Sequence, residues 1–144
     1  MTLERAPSLT MVTPTSATIW TRGTSYPIEW SSTGTIGTLV LTLKKSGMAD
    51  IVLSSNENND GTYTISSVTT TSLTACSGYT LVLADGSVSV TSSSFTVVNA
   101  PPPKSITIQT PNLCVQSSLC SISFSKTGGV TTVRLSYSGA SSGI

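Results

Sequence analysis

The residues that could do chemistry are few. The chain has no histidine, which removes Ser-His-Asp and Cys-His nucleophilic catalysis together with the commonest metal ligand. Six carboxylates are present, Glu4, Glu29, Asp50, Glu57, Asp60 and Asp85. Most fall in predicted turns or on outward strand faces, and their spacing does not suggest the pair that a glycosidase sets on either side of a cleft. The run Asn56-Glu57-Asn58-Asn59-Asp60-Gly61 offers oxygen ligands for Ca²⁺, yet it lacks the alternate acidic spacing of calcium loops and reads as an Asn/Asp/Gly turn. Gly128-Gly129 has no strand-to-helix context and so is no phosphate loop. The sequence assigns no catalytic, cofactor-binding or metal residue, and the expectation is a protein that is not an enzyme.

Partners are narrowed by charge and hydropathy. A net charge of +1 leaves no electrostatic footprint for nucleic acid, and no apolar run approaches the ~18 residues of a membrane-spanning helix. Charged residues make up 9% of the chain, so Ser and Thr, about a third of it, hydrate the surface instead. Those hydroxyls make glycans expected partners, bound or covalent. Candidate O-linked positions are Thr69, Thr70, Thr71, Ser72, Thr91, Ser92 and Ser93, with Pro101, Pro102 and Pro103 if hydroxylated. The only approach to an N-linked acceptor is the rare cysteine variant Asn112-Leu113-Cys114. Trp20, Tyr26, Trp30 and Tyr63 have the chemistry of a sugar-stacking platform, but strand alternation directs three of them to a core.

The elements that carry these residues are strands. Helix signals are nearly absent, and Thr, Val, Ile and Ser alternate with period two. Strands are predicted over Leu9–Val12, Ala17–Trp20, Ser25–Ser31, Thr38–Lys44, Ala49–Ser54, Thr62–Ser66, Tyr79–Leu83, Val88–Val90 and Phe95–Val97. Pro14 fits a strand end, and Pro27 suggests an edge position. Leu39, Leu41 and Leu43 face a core, with Val40 an apolar exception outside. Val68–Ser77 reads as a polar loop crossing between sheets, followed by Tyr79 in the position of a tyrosine corner. Short strands at 8–12-residue turn spacing predict an all-β, immunoglobulin-like antiparallel sandwich.

One pattern returns. Ile28-Glu29-Trp30-Ser31-Ser32-Thr33-Gly34 is matched by Ile122-Ser123-Phe124-Ser125-Lys126-Thr127-Gly128. The alternation beyond each glycine (Leu39, Leu41, Leu43; Val133, Leu135, Tyr137) keeps the same offset, since 124 minus 30 and 135 minus 41 both give 94. An internal repeat of this kind means an array of modules. The expected organisation is an N-terminal segment 1–8, available as an inter-subunit strand, then a full repeat over 9–98. A Pro-rich, semi-rigid linker follows over 99–104, and then a partial repeat over 105–144 that needs completion by other sequence or by a neighbouring subunit. The N-terminus lacks the n- and h-regions of a signal peptide, so the chain is expected to be a segment of a longer protein.

The set Pro14, Ile19-Trp20-x-x-Gly23-x-x-Tyr26-x-Ile28-x-Trp30-x-x-x-Gly34, Gly61-x-Tyr63-x-Ile65, Tyr79-x-Leu81 and Ser94-Phe95-x-Val97 resembles the repeat domain of the Ser/Thr-rich GPI-anchored cell-wall family, related to fungal β-glucan-assembly proteins. The resemblance spans about residues 9–98, and 105–138 in part. It implies an extracellular, often O-glycosylated immunoglobulin-like module of a cell surface or wall. The chain shows neither a Ser/Thr-rich tail nor an apolar C-terminal signal, so GPI anchoring gains no support here.

The offset of 94 sets Cys114 opposite Trp20 and Cys120 opposite Tyr26, so an aromatic pair flanking a turn is exchanged for two cysteines. A Cys114–Cys120 disulfide is expected, as suits an extracellular domain with a thin core, the alternative being two buried thiols. Cys76 is left over, unpaired or intermolecular. A half sandwich would expose Phe124, Val133, Leu135 and Tyr137 as an assembly surface. Head-to-tail self-association into a fibre follows as the functional expectation, with a carbohydrate-binding or adhesive surface module as the alternative.

Overall fold

The computed structural model describes residues 3–108 and 123–134. The chain divides into two compact units, Met1–Ala100 and Pro101–Ile144, so the break falls inside the predicted linker.

The described residues of unit 1 form nine strands and one short helix: β1 (Ser8–Thr13), β2 (Ile19–Thr21), β3 (Tyr26–Thr33), β4 (Leu39–Lys45), β5 (Ile51–Glu57), β6 (Thr62–Ile65), α1 (Ser67–Ser72), β7 (Cys76–Ala84), β8 (Ser89–Thr91) and β9 (Phe95–Val98). Period-two alternation sorts them into two sheets. One runs β1-β3-β6. The other runs β2-β9-β7-β4-β5, with β8 also paired to β7. The pairings are antiparallel except β2 with β9, which is parallel.

Both sheets contribute to a single buried cluster. Leu9, Ile28, Trp30 and Ile65 come from the three-stranded sheet, and Trp20, Leu39, Leu41, Leu43, Tyr79, Leu81, Leu83, Phe95 and Val97 from the other. Val40 is exposed, as its outward phase requires. β3 lies in the centre of its sheet, whereas Pro27 suggested an edge. β1 pairs with β3 from Glu29 onward, and at Pro27 only Thr64 of β6 is opposite. The missing N–H therefore falls where one neighbour is absent, which is how proline is accommodated in an inner strand.

The structure departs from the sequence reading between β6 and β7. A loop was expected over Val68–Ser77, but Ser67–Ser72 is helical. Ser66 caps it by accepting a hydrogen bond from the backbone N–H of Thr69 at 3.2 Å, satisfying one of the free donors of the first turn. Thr70 is wholly buried; its hydroxyl accepts from the Gly23 N–H at 3.2 Å and donates to the Thr24 carbonyl at 2.8 Å. Those partners lie far away in sequence. Tertiary anchoring overrides the weak helix propensity of threonine. The turn after β5 also starts later than expected, because Asn56 and Glu57 continue the strand, with Glu57 opposite Leu39.

In unit 2 the described strands are β10 (Ser105–Ile108) and β11 (Phe124–Thr127), an antiparallel pair whose register matches that of β1 with β3. Ser8 lies opposite Thr33 and Met11 opposite Trp30; Ser105 lies opposite Thr127 and Ile108 opposite Phe124. The Ser8 and Thr33 hydroxyls are hydrogen-bonded at 2.7 Å, the Ser105 and Thr127 hydroxyls at 2.8 Å. Each threonine hydroxyl also donates toward an upstream carbonyl, Ala6 at 3.5 Å or Pro103 at 3.2 Å.

A glycine ends each clasp with positive φ, 72° at Gly34 and 71° at Gly128. A Cβ would lie 2.5 Å from the Arg5 carbonyl oxygen at Gly34 and 2.7 Å from the Pro102 carbonyl oxygen at Gly128. Only glycine fits such a close approach in this conformation.

The single offset of 94 fails for the first strand of the pair. From Thr33 to Thr127 it is 94, but from Ser8 to Ser105 it is 97. The stretch joining the two paired strands is thus three residues shorter in unit 2, and the alignment changes phase somewhere between Ile108 and Phe124.

Candidate functional site

Among the described residues of unit 1, no cluster of polar side chains converges on a reacting centre. The carboxylates are occupied with the backbone or are solvated. Asp50 pairs with Lys44 at 2.7 Å on the surface. Asp60 accepts from the Thr62 N–H at 3.1 Å, and the neighbouring Asn59 accepts from the Trp30 indole N–H at 2.9 Å while donating to the Ser32 hydroxyl at 3.0 Å. The Asn/Asp run is therefore a plug that satisfies a buried tryptophan.

Asp85 organises the turn between β7 and β8. One oxygen accepts from the Val88 N–H (2.9 Å), the Ser87 hydroxyl (2.8 Å) and the Ser87 N–H (2.8 Å), and the other from the Gly37 N–H (3.2 Å). The Val88 N–H foremost, then the Ser87 donors, hold its carboxyl well below the usual carboxylate range; hydrogen bonds to the charged form favour it. Burial, and then the charge of Glu57, push the Tyr63 hydroxyl up. Among the described residues no group of three or more His, Cys, Asp or Glu could hold a metal ion, and no helix is long and apolar enough to cross a membrane.

The aromatics pack inward. Trp20 stacks on Tyr26 (centroids 5.6 Å apart, planes at 10°) and meets Phe95 at 4.5 Å. Trp20 and Trp30 are buried, and Tyr26 and Tyr63 pack against the core, so these four rings offer no open platform for sugars. The Tyr79 hydroxyl donates to the Thr74 carbonyl at 2.9 Å, five residues upstream.

Of the candidate glycosylation positions, Thr70 and Ser92 are buried with their hydroxyls engaged. Ser92 accepts from the Leu81 N–H at 2.9 Å and donates to the Ser93 carbonyl at 2.8 Å. Neither is accessible in the folded unit. Thr71, Ser72, Thr91, Ser93 and Pro101, Pro102 and Pro103 are exposed, and Thr69 is half-buried with its hydroxyl against Ser66. Cys76 is a half-buried free thiol at the start of β7, with Sγ 3.6 Å from the Thr74 carbonyl oxygen. Cys114 and Cys120, the expected disulfide, and Leu135 and Tyr137 of the expected assembly surface, lie outside the described residues.

Two surfaces remain. The first is the face of unit 2. Ile106, Ile108 and Phe124 are 46%, 60% and 41% exposed, although their counterparts in unit 1 are core residues or pack on the core: Leu9 is 8% exposed, Trp30 4%, and Met11 is partly buried. Val133 is half-buried. The second is an open cavity of about 300 Å³ in unit 1, lined by Leu9, Met11, Pro14 and Val90 and by the hydroxyl residues Thr10, Thr15, Thr91, Ser92 and Ser93. No charged side chain lines it. Sequence reading missed the cavity because its walls come from strand edges far apart in the chain. It also missed Arg22, whose guanidinium donates to the Thr71 carbonyl (2.6 and 3.1 Å) and to the Asn99 side-chain oxygen (2.9 Å); only its place next to the Gly23 turn hinted at a role.

Compared with family models, curated proteins and solved structures, the chain matches none.

Proposed function

We propose that this chain is a non-enzymatic structural subunit of an extracellular or cell-surface fibre or wall, built from immunoglobulin-like β-sandwich repeats that join head to tail. The sandwich reading is supported by a shared core drawn from two sheets, by a first strand that leaves one sheet at Pro14 and continues as β2 in the other, and by the Tyr79 hydroxyl bonded back to Thr74 at the entry to β7, as in a tyrosine corner. The single observation that carries the functional reading is the duplicated clasp. Unit 2 reproduces the register, the Ser–Thr hydroxyl bond and the closing glycine of β1–β3, yet leaves Ile106, Ile108 and Phe124 exposed. A face of this kind marks an interaction site, and a self-complementary module that does not close on itself builds a fibre. Electron microscopy of native material tests it. Filaments carrying sugar are the expected result; a dispersed, unglycosylated monomer would refute the reading.

A second reading, a carbohydrate-binding or adhesive module, is favoured by the uncharged, hydroxyl-lined cavity, which has the small volume and mixed lining of a ligand site. β-Glucan and chitin pull-downs with wild type and Thr91→Val separate the two; binding lost in the variant favours adhesion.

A further inference from the structure

The second strand of unit 1 and its last are neighbours, and they run the same way. β2 lies beside β9 in parallel, with Ile19, Trp20 and Thr21 opposite Thr96, Val97 and Val98. The ladder extends beyond both strands. Thr96 N–H donates to the Thr18 carbonyl at 3.2 Å, Arg22 N–H to the Val98 carbonyl at 2.9 Å, and the Arg22 guanidinium to the Asn99 side chain at 2.9 Å.

Tension on the chain reaches β2 from its upstream end and β9 from its downstream end. In two parallel strands those pulls are opposed along a common axis, so every bond between them is loaded at once. Adjacent antiparallel strands drawn apart from one end lose their bonds one at a time. The ladder is shielded on its inner face, where Trp20 and Val97 are buried and Phe95 lies 4.5 Å from the Trp20 ring, so from that side water cannot readily replace a stretched hydrogen bond, the exchange that makes such bonds weak. Upstream, β1 is held lengthwise against β3.

We propose that β2 and β9 form a force-bearing clamp, giving unit 1 a mechanical function: resistance to tension applied through its ends. The inference stands on topology and holds whether or not the chain forms fibres.

Single-molecule pulling of the full chain between folded handles tests it. Unit 1 is recognised by the release of roughly 300 Å, the extended length of β1 through β9 at ~3.3–3.6 Å per residue. Forced unfolding reports the unfolding barrier, not equilibrium stability. Thr96→Pro, which deletes the N–H bonded to Thr18, is expected to lower the rupture force to about half. Leu43→Ala, a core truncation of larger equilibrium effect away from the clamp, is expected to leave most of it. Should Thr96→Pro fail to fold, Arg22→Ala carries the test against Tyr79→Phe: the arginine variant is to lose more force for the same loss in a denaturant titration. A force that tracks equilibrium stability wherever the substitution lies would overturn the clamp. So would a wild-type unit 1 that yields at forces no higher than the β10–β11 pair.

Discussion

The β1–β3 pair and the β10–β11 pair are the same local construction in two environments. Both have the strand register, the Ser–Thr hydroxyl bond and a positive-φ glycine pressed against the incoming chain. They differ in what their apolar side chains meet. Trp30 is 4% exposed beneath the second sheet, and Phe124 at the same place in the pattern is 41% exposed. The clasp therefore sets pairing, and burial must come from somewhere else. Hydrogen bonds and turn geometry fix register, while the larger share of stabilisation comes from removing apolar area from water.

The strongest way to break this comparison is to truncate the matched aromatics. Trp30→Ala should destabilise unit 1 by about 3–5 kcal/mol, read by chemical denaturation, because it empties a buried site and strands the Asn59 side chain that accepts its indole N–H. Phe124→Ala should cost under about 0.5 kcal/mol in dilute solution, as for other exposed positions. Equal losses would mean that the two environments are alike.

Next in size, alanine at Gly34 should cost more than about 1 kcal/mol, because the native φ excludes a Cβ and the carbonyl of Arg5 stands 2.5 Å from where it would lie. Gly128→Ala should disturb β10–β11 in the same way, seen as lost amide protection at Ile106 and Ile108. A neutral result at Gly128 would show that the second clasp is not held as the first is.

Acid should separate the units. Every carboxylate side chain lies before residue 101. The Asp85 carboxyl has a folded-state pKa below its unfolded value of ~3.9. Its stabilisation is therefore present above about pH 4 and is lost as pH falls below that value. Asp85→Asn should flatten the acid limb of the unit 1 stability profile. An unchanged limb would contradict the role given to this turn.

The smallest effect is expected of Tyr79→Phe. It removes a hydroxyl that donates to the Thr74 carbonyl and accepts from the Thr74 N–H, for a loss of about 1 kcal/mol in a denaturant titration.

Much of this molecule was legible in the sequence wherever alternation decides. Leu39, Leu41 and Leu43 are buried and Val40 is not, because period two leaves a strand with one buried face little choice. The glycine closing each clasp was visible as part of a returning pattern. Helix α1 was not legible, since Ser67–Ser72 is stabilised by partners at Gly23 and Thr24 that no local window contains. The phase change from 97 to 94 was equally hidden, because matching on aromatics and glycines samples one strand of each pair. The accessible hydroxyls could not be sorted from composition: Thr70 and Ser92 serve as backbone partners while Thr91 and Ser93 face solvent. Nor could the cavity, whose hydroxyls are gathered by β1 and β8 from opposite ends of unit 1.

Hydrogen exchange on the full chain, followed from dilute to concentrated solution, tests the central claim most directly. If the face of the second clasp is an assembly surface, amides of Ser105–Ile108 and Phe124–Thr127 should gain protection as concentration rises and larger species sediment, while the core strands of unit 1 stay unchanged. Protection of those eight residues that is the same at every concentration, in a chain that sediments as a monomer throughout, would contradict it.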